Sequence, residues 1–233
     1  VDKNAVDEGL RYINNDACYP TIVTLGQIIS YLKSGEVDLN KVGIFMSQTG
    51  GGCRASNYVA LLRKALKDMG MEQIPVISVN MAGLEKNPGF KISKGIIKRG
   101  MMAVMYGDLL MRVLYATRPY EKVPGSANAL YEECCNMIRD NIVSGDMKEY
   151  KRLMKVIVEK FDQLPLLDIQ KPRVGVVGEI LVKYHPNANN DIVNIIESEG
   201  GEAVVLDLAD FFLYGMYSKE FNYRHLSGTY QAM

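Results

Sequence analysis

Two cysteines stand apart by what surrounds them. Cys18 lies in Asn14-Asn15-Asp16-Ala17-Cys18-Tyr19-Pro20, and Cys53 in Gln48-Thr49-Gly50-Gly51-Gly52-Cys53-Arg54. Pro20 suits the first turn of a helix, where a missing N–H breaks no bond. Ile22, Leu25, Ile28, Ile29 and Leu32 then repeat at helical spacing toward Gly35. Cys53 follows an apolar strand and opens a second helix. Both thiols are therefore expected at helix amino ends, where unpaired N–H groups and the helix dipole favour negative charge. Thiolate is the form that binds metal or attacks. Gly50, Gly51 and Gly52 allow a sharp turn and close approach to a bound group, and Arg54 adds a fixed positive charge. The plainer alternative is that each cysteine only packs, as free cysteine often does.

Several binding chemistries are excluded by spacing. No Gly-Lys-Ser/Thr follows the glycines, so the turn is not a phosphate-binding P-loop, and it is not a G-x-G-x-x-G dinucleotide turn. There is no C-x-x-C, and the only histidines are His185 and His225, which disfavours a zinc ribbon or a redox dithiol. Thiolate softness leaves zinc, copper or an iron–sulfur cluster for any metal held here. An anionic cluster would suit a glycine turn that offers N–H groups to its sulfurs.

Other candidates are weaker. Gly178-Glu179-Ile180 directly follows an expected strand, where parallel sheets gather ligands, and Glu179 reads as a catalytic candidate or a helix cap. His185 in Tyr184-His185-Pro186 reads as an acid–base group or an ordinary loop histidine. Cys134 and Cys135 are adjacent in a helical run and point ~100° apart, so packing is the reading for that pair.

The elements that must position these residues alternate strand and helix. Residues 42–47 and 75–79 read as strands flanking a helix over 56–69 that Gly70 stops. Residues 173–177 and 203–206 repeat the pattern around a helix over 188–199, stopped by Gly200-Gly201. Strand–helix–strand units of this kind make their strands parallel. Between them, 100–115, 128–142 and 147–161 read as helices, the last amphipathic. The fold class expected is α/β, with Rossmann-like βαβ units on a parallel sheet, a helical insertion and a second, truncated α/β domain. Pro165 and Pro172 suggest the boundary, giving domains 1–165 and 166–233.

Composition narrows function further. The chain has 233 residues, with 27 basic side chains cancelling 27 acidic ones and 48% hydrophobic content. That balance excludes the electrostatic footprint of a nucleic-acid or membrane-surface binder. No apolar run reaches the ~18 residues of a membrane span. Four cysteines are too few for a disulfide scaffold, so the expected compartment is a reducing cytoplasm. Val1 and Met233 at the ends suggest a piece of something longer.

Four strings carry a family likeness: NNDACYPTIVTLGQIISYL, IFMSQTGGGCRASNYVALLRKAL, YGDLLMR with RPYE, and RVGVVGEILVKYHPNANNDIV. Taken in order they span nearly the whole chain. Together they resemble the carboxy-terminal, dehydratase-like part of the large acyl-CoA dehydratase activases, relatives of 2-hydroxyglutaryl-CoA dehydratase and its activator. The resemblance implies Rossmann-like domains around a [4Fe–4S] cluster held by three cysteines in the full-length protein. It implies an ATP-hydrolysing activator domain or subunit as partner, delivering one low-potential electron for dehydration of a 2-hydroxyacyl-CoA under anaerobic conditions. Cys18 and Cys53 match two of the cluster ligands, and a third lies outside this chain. The chain alone is expected to be inactive and to lack the cluster. Two other readings stay open: a docking or scaffold domain whose cluster site has decayed, and a CoA- or phosphate-binding module using Gly50–Gly52.

Overall fold

The computed structural model describes residues 3–48, 53–80 and 93–226. They are mostly helical, with two small parallel two-stranded sheets, a mixed α/β arrangement. The chain divides into two compact units, Val1–Lys91 and Ile92–Met233.

The first unit begins with α1 (Lys3–Tyr12) and α2 (Tyr19–Lys33). These helices meet at two glycines. A Cβ on Gly9 would lie 2.2 Å from the Ile22 carbonyl oxygen, and one on Gly26 would lie 1.8 Å from that of Ala5. Only hydrogen fits at such a crossing. Beside it the buried carboxylate of Glu8 accepts from Lys33 Nζ at 2.6 Å and from Arg11 at 2.8 Å. The strand β1 (Ile44–Gln48) leads through a 3-10 turn (Arg54–Asn57) to α3 (Tyr58–Asp68) and β2 (Val76–Asn80). The two strands pair in parallel, Ile44 opposite Val76 and Gln48 opposite Asn80. Period-two alternation turns Ile44 and Met46 inward and leaves Phe45 exposed. The inward residues join Ile22, Leu25, Val59, Leu62 and Leu66 in one core.

The second unit opens with three long helices, α4 (Lys94–Thr117), α5 (Ser126–Ser144) and α6 (Met147–Asp162). Ser93 starts α4 by accepting from Ile96 N, so the helix begins earlier than the apolar spacing predicts. Gly145, left-handed at φ 68°, ends α5, and the Asp146 side chain caps α6 at once. Tyr106, Leu110, Cys134, Ile138, Leu153, Ile157 and Phe161 fill the space between them. Tyr106 Oη donates to Asn141 Oδ1 inside this core at 2.8 Å.

The chain continues through β3 (Arg173–Val176), α7 (Ile180–Tyr184), α8 (Ile192–Ser198), β4 (Glu202–Val205) and α9 (Leu208–His225). Strands β3 and β4 are parallel, Arg173 opposite Glu202. The helix expected over 188–199 is shorter, because Asn190 and Asp191 both adopt φ 57°, which no helix interior tolerates.

The expected division at 165–172 falls inside this unit. Bonds from the helical part reach across it: Arg118 pairs with Glu197, Tyr120 Oη donates to Glu202 at 2.7 Å, and the Asp108 carboxylate accepts from Leu208 N and Ala209 N at 2.8 Å each. Prolines marked a change of element there, not a break between packed bodies. Among the described residues no helix is long and apolar enough to cross a membrane.

Candidate functional site

Both singled-out cysteines lie in the first unit, and each stands at a helix start. Cys18 is the N-cap of α2, in extended conformation at φ −61°, ψ 147°, with Pro20 in the first turn. Cys53 is the N-cap of the 3-10 turn that leads into α3, at φ −70°, ψ 141°. Neither side chain bonds to the backbone N–H groups of the turn it opens. Both thiols are exposed. Cys18 Sγ lies 2.9 Å from Oγ1 of Thr21, which is fully buried one turn further on.

The sequence puts 34 residues between them, but the packing shares their support. Ala17, just before Cys18, and Tyr58, just after the turn Cys53 opens, pack against the same core cluster. Gln48 adds a second support that spacing alone does not single out. Its amide Nε2 donates to Ser56 O at 3.1 Å, and its Oε1 accepts from Ser78 Oγ at 2.6 Å. One side chain thus ties the end of β1 to β2 and to the turn that Cys53 begins. Its position as the last residue of an apolar strand before a glycine turn is the only sequence signal for that role.

Gly50, Gly51 and Gly52 lie outside the described residues, as does the side chain of Arg54. Among the described residues no group of three or more His, Cys, Asp or Glu side chains converges as a metal site. The exposed thiols among the described residues are Cys18 and Cys53.

Cys134 and Cys135 behave differently. Cys134 is wholly buried between the long helices, and burial pushes its thiol up to about 11. At neutral pH it stays protonated and packs.

Glu179 is the N-cap of α7, where its Oε2 accepts from Leu181 N at 2.8 Å and Val182 N at 3.4 Å. Its carboxylate is committed to the backbone of a five-residue helix. Glu179→Ala is expected to lower stability in urea unfolding by about 1 kcal/mol. Glu179→Gln, which keeps the acceptor oxygen, should stay close to wild type. Equal losses for both would speak against the cap. His185 follows at the carboxyl end of α7, half-buried, with a buried Nδ1 that has no hydrogen-bond partner.

Compared with protein-family models, curated proteins and solved structures, the chain matches none of them.

Proposed function

We propose that the first unit contributes Cys18 and Cys53 as two thiolate ligands to an iron–sulfur cluster serving low-potential electron transfer. The observation that carries this reading is that two exposed cysteines head helical turns supported by one core. Exposed thiols at helix starts can ionise and reach a metal, whereas a buried one such as Cys134 cannot. When bound, a cluster of this kind would supply one-electron chemistry at low potential. The chain's own part is to hold two exposed thiols in place at helix starts. The remaining ligands come from outside the described residues.

The four sequence strings support placing this chain in an acyl-CoA dehydratase/activase system. In that reading an ATP-hydrolysing activator is the electron donor, a 2-hydroxyacyl-CoA the substrate, and the cytoplasm of an anaerobe the setting. Each parallel strand pair, with the helices between its strands, is then a Rossmann-like βαβ unit.

A second reading, a docking or scaffold domain whose cluster site has decayed, is favoured by the lack of a third converging ligand among the described residues.

Anaerobic reconstitution of the full-length protein, which supplies the third ligand, with iron and sulfide separates the two. The cluster reading expects brown absorption and bound iron. It expects the Cys18→Ser/Cys53→Ser double variant to bind iron at least about tenfold more weakly. Cys135→Ala should keep the iron. Iron uptake that does not change in the double variant would leave the scaffold reading standing.

A further inference from the structure

The segment from Lys183 to Asp191 is not used by the cysteine site, yet it forms one wall of a cavity of about 200 Å³ in the second unit. Tyr115 and Arg118, at the end of α4 and just beyond it, form the facing wall, with Val193 and Val205 among the apolar lining. A cavity of ~150 Å³ is enough for a benzene-sized molecule, so this one admits a small organic ligand.

Most polar groups around it already have partners. Arg118 gives Nε and Nη2 to Glu197 at 2.8 and 2.9 Å, and it also bonds Asn194 and Asn128. Asn194 Nδ2 donates to Asp191 Oδ2 at 2.7 Å, and Asn189 Oδ1 accepts from Ile192 N. Tyr184 Oη donates to Leu206 O at 2.7 Å.

Two donors remain uncommitted. Lys183 Nζ lies 4.5 Å from the centre of the Tyr184 ring, and no carboxylate among the described residues pairs with it. Because the Tyr184 ring is anchored by its own hydroxyl, the ammonium is held in place by a cation–π contact. The second donor is the Tyr115 hydroxyl. Burial raises its pKa, so the phenol stays neutral and able to donate. A fixed cation and a neutral hydroxyl donor ask for an anionic acceptor, and the apolar lining asks for a hydrocarbon body.

We propose that this cavity binds a small organic carboxylate, its oxygens on Lys183 Nζ and the Tyr115 hydroxyl and its alkyl part on Val193 and Val205. Asp191 is the opposing charge. Its carboxylate, which accepts from Asn194 Nδ2, is part of the lining, weakens anion binding and so limits affinity.

Amide NMR titration of the full chain tests this with butyrate as the probe. Butyrate should give saturable shifts around Lys183 and Asn189 at roughly millimolar concentration. Butyramide, of the same shape without the charge, and acetate, without the alkyl body, should each bind at least about tenfold more weakly. Lys183→Met should lose about tenfold and Lys183→Arg should retain binding. Asp191→Asn, which suits the left-handed backbone, should tighten it severalfold. Butyrate and butyramide binding alike, acetate matching butyrate, or no saturable shift at about 20 mM would each overturn the proposal. The butyrate–butyramide comparison uses wild-type protein and needs no variant to fold.

Discussion

Gly26→Ala is expected to cost about 3 kcal/mol or more, read as a lowered midpoint in urea unfolding followed by circular dichroism. The added methyl would sit 1.8 Å from the Ala5 carbonyl oxygen and 2.9 Å from Gly9 N. These are backbone atoms, so no rotamer change relieves the overlap. Helices α1 and α2 must move apart, which also opens the matching contact of Gly9 with Ile22. Alanine is a better helix former than glycine by ~1 kcal/mol, a gain too small to offset the separation. Gly100 gives the opposite sign. It lies in α4 with open space where a Cβ would go, so Gly100→Ala should stabilise by roughly 0.5–1 kcal/mol. A Gly26→Ala protein as stable as wild type would contradict the close crossing.

Asp108→Ala is expected to cost about 2–3 kcal/mol and to loosen the start of α9. Asp207, the N-cap residue of α9, forms no side-chain cap there. The carboxylate that serves Leu208 N and Ala209 N comes instead from Asp108 on α4, and it is buried. Truncation leaves two donors of the first turn without their acceptor. Hydrogen exchange should accelerate at Leu208 and Ala209, and protection there equal to wild type would refute the capping role. Asp207 reports the same change electrically. Its folded pKa is raised, chiefly by burial and also by the Asp108 charge, against the lowering effect of Arg112. A raised carboxyl means the folded state binds its proton more tightly than the unfolded state. This group's contribution to stability is therefore full below the ordinary aspartate range and is lost as pH rises through the raised value. Asp108→Asn removes the like charge, so the Asp207 carboxyl should titrate at lower pH by carbon NMR.

Local pattern reads well in this chain where one element decides. The apolar spacing of Ile22, Leu25, Ile29 and Leu32, with Pro20 ahead of them, is sufficient to place Cys18 at a helix start. The apolar run before Gln48 and the β-branched run before Asn80 likewise place a parallel strand pair. What escapes is whatever depends on a distant partner. Gly26 inside an apolar helix reads as a weak point, because its partner oxygen belongs to another helix. Asp108 reads as one more polar residue in YGDLLMR, and its role exists only once Leu208 is beside it. Gln48 gains meaning from Ser78 and Ser56 together. Asn190 and Asp191 carry no signal that separates a left-handed bend from the first turn of a helix. The candidate site follows the same rule. The helix-start position of each thiol is local and legible, whereas their common support by one core is not.

The ties that close the second unit join residues far apart along the chain: Arg118 with Glu197, Tyr120 with Glu202, Asp108 with Leu208. Bringing such ends together costs loop-closure entropy before any bond repays it. The consecutive helices α4, α5 and α6 share one core, need only short connections and can condense early. The β3–β4 layer and α9 must wait for that surface, and during synthesis they emerge after it. The same separation makes them the first part to open when the unit breathes, so protease access should begin there.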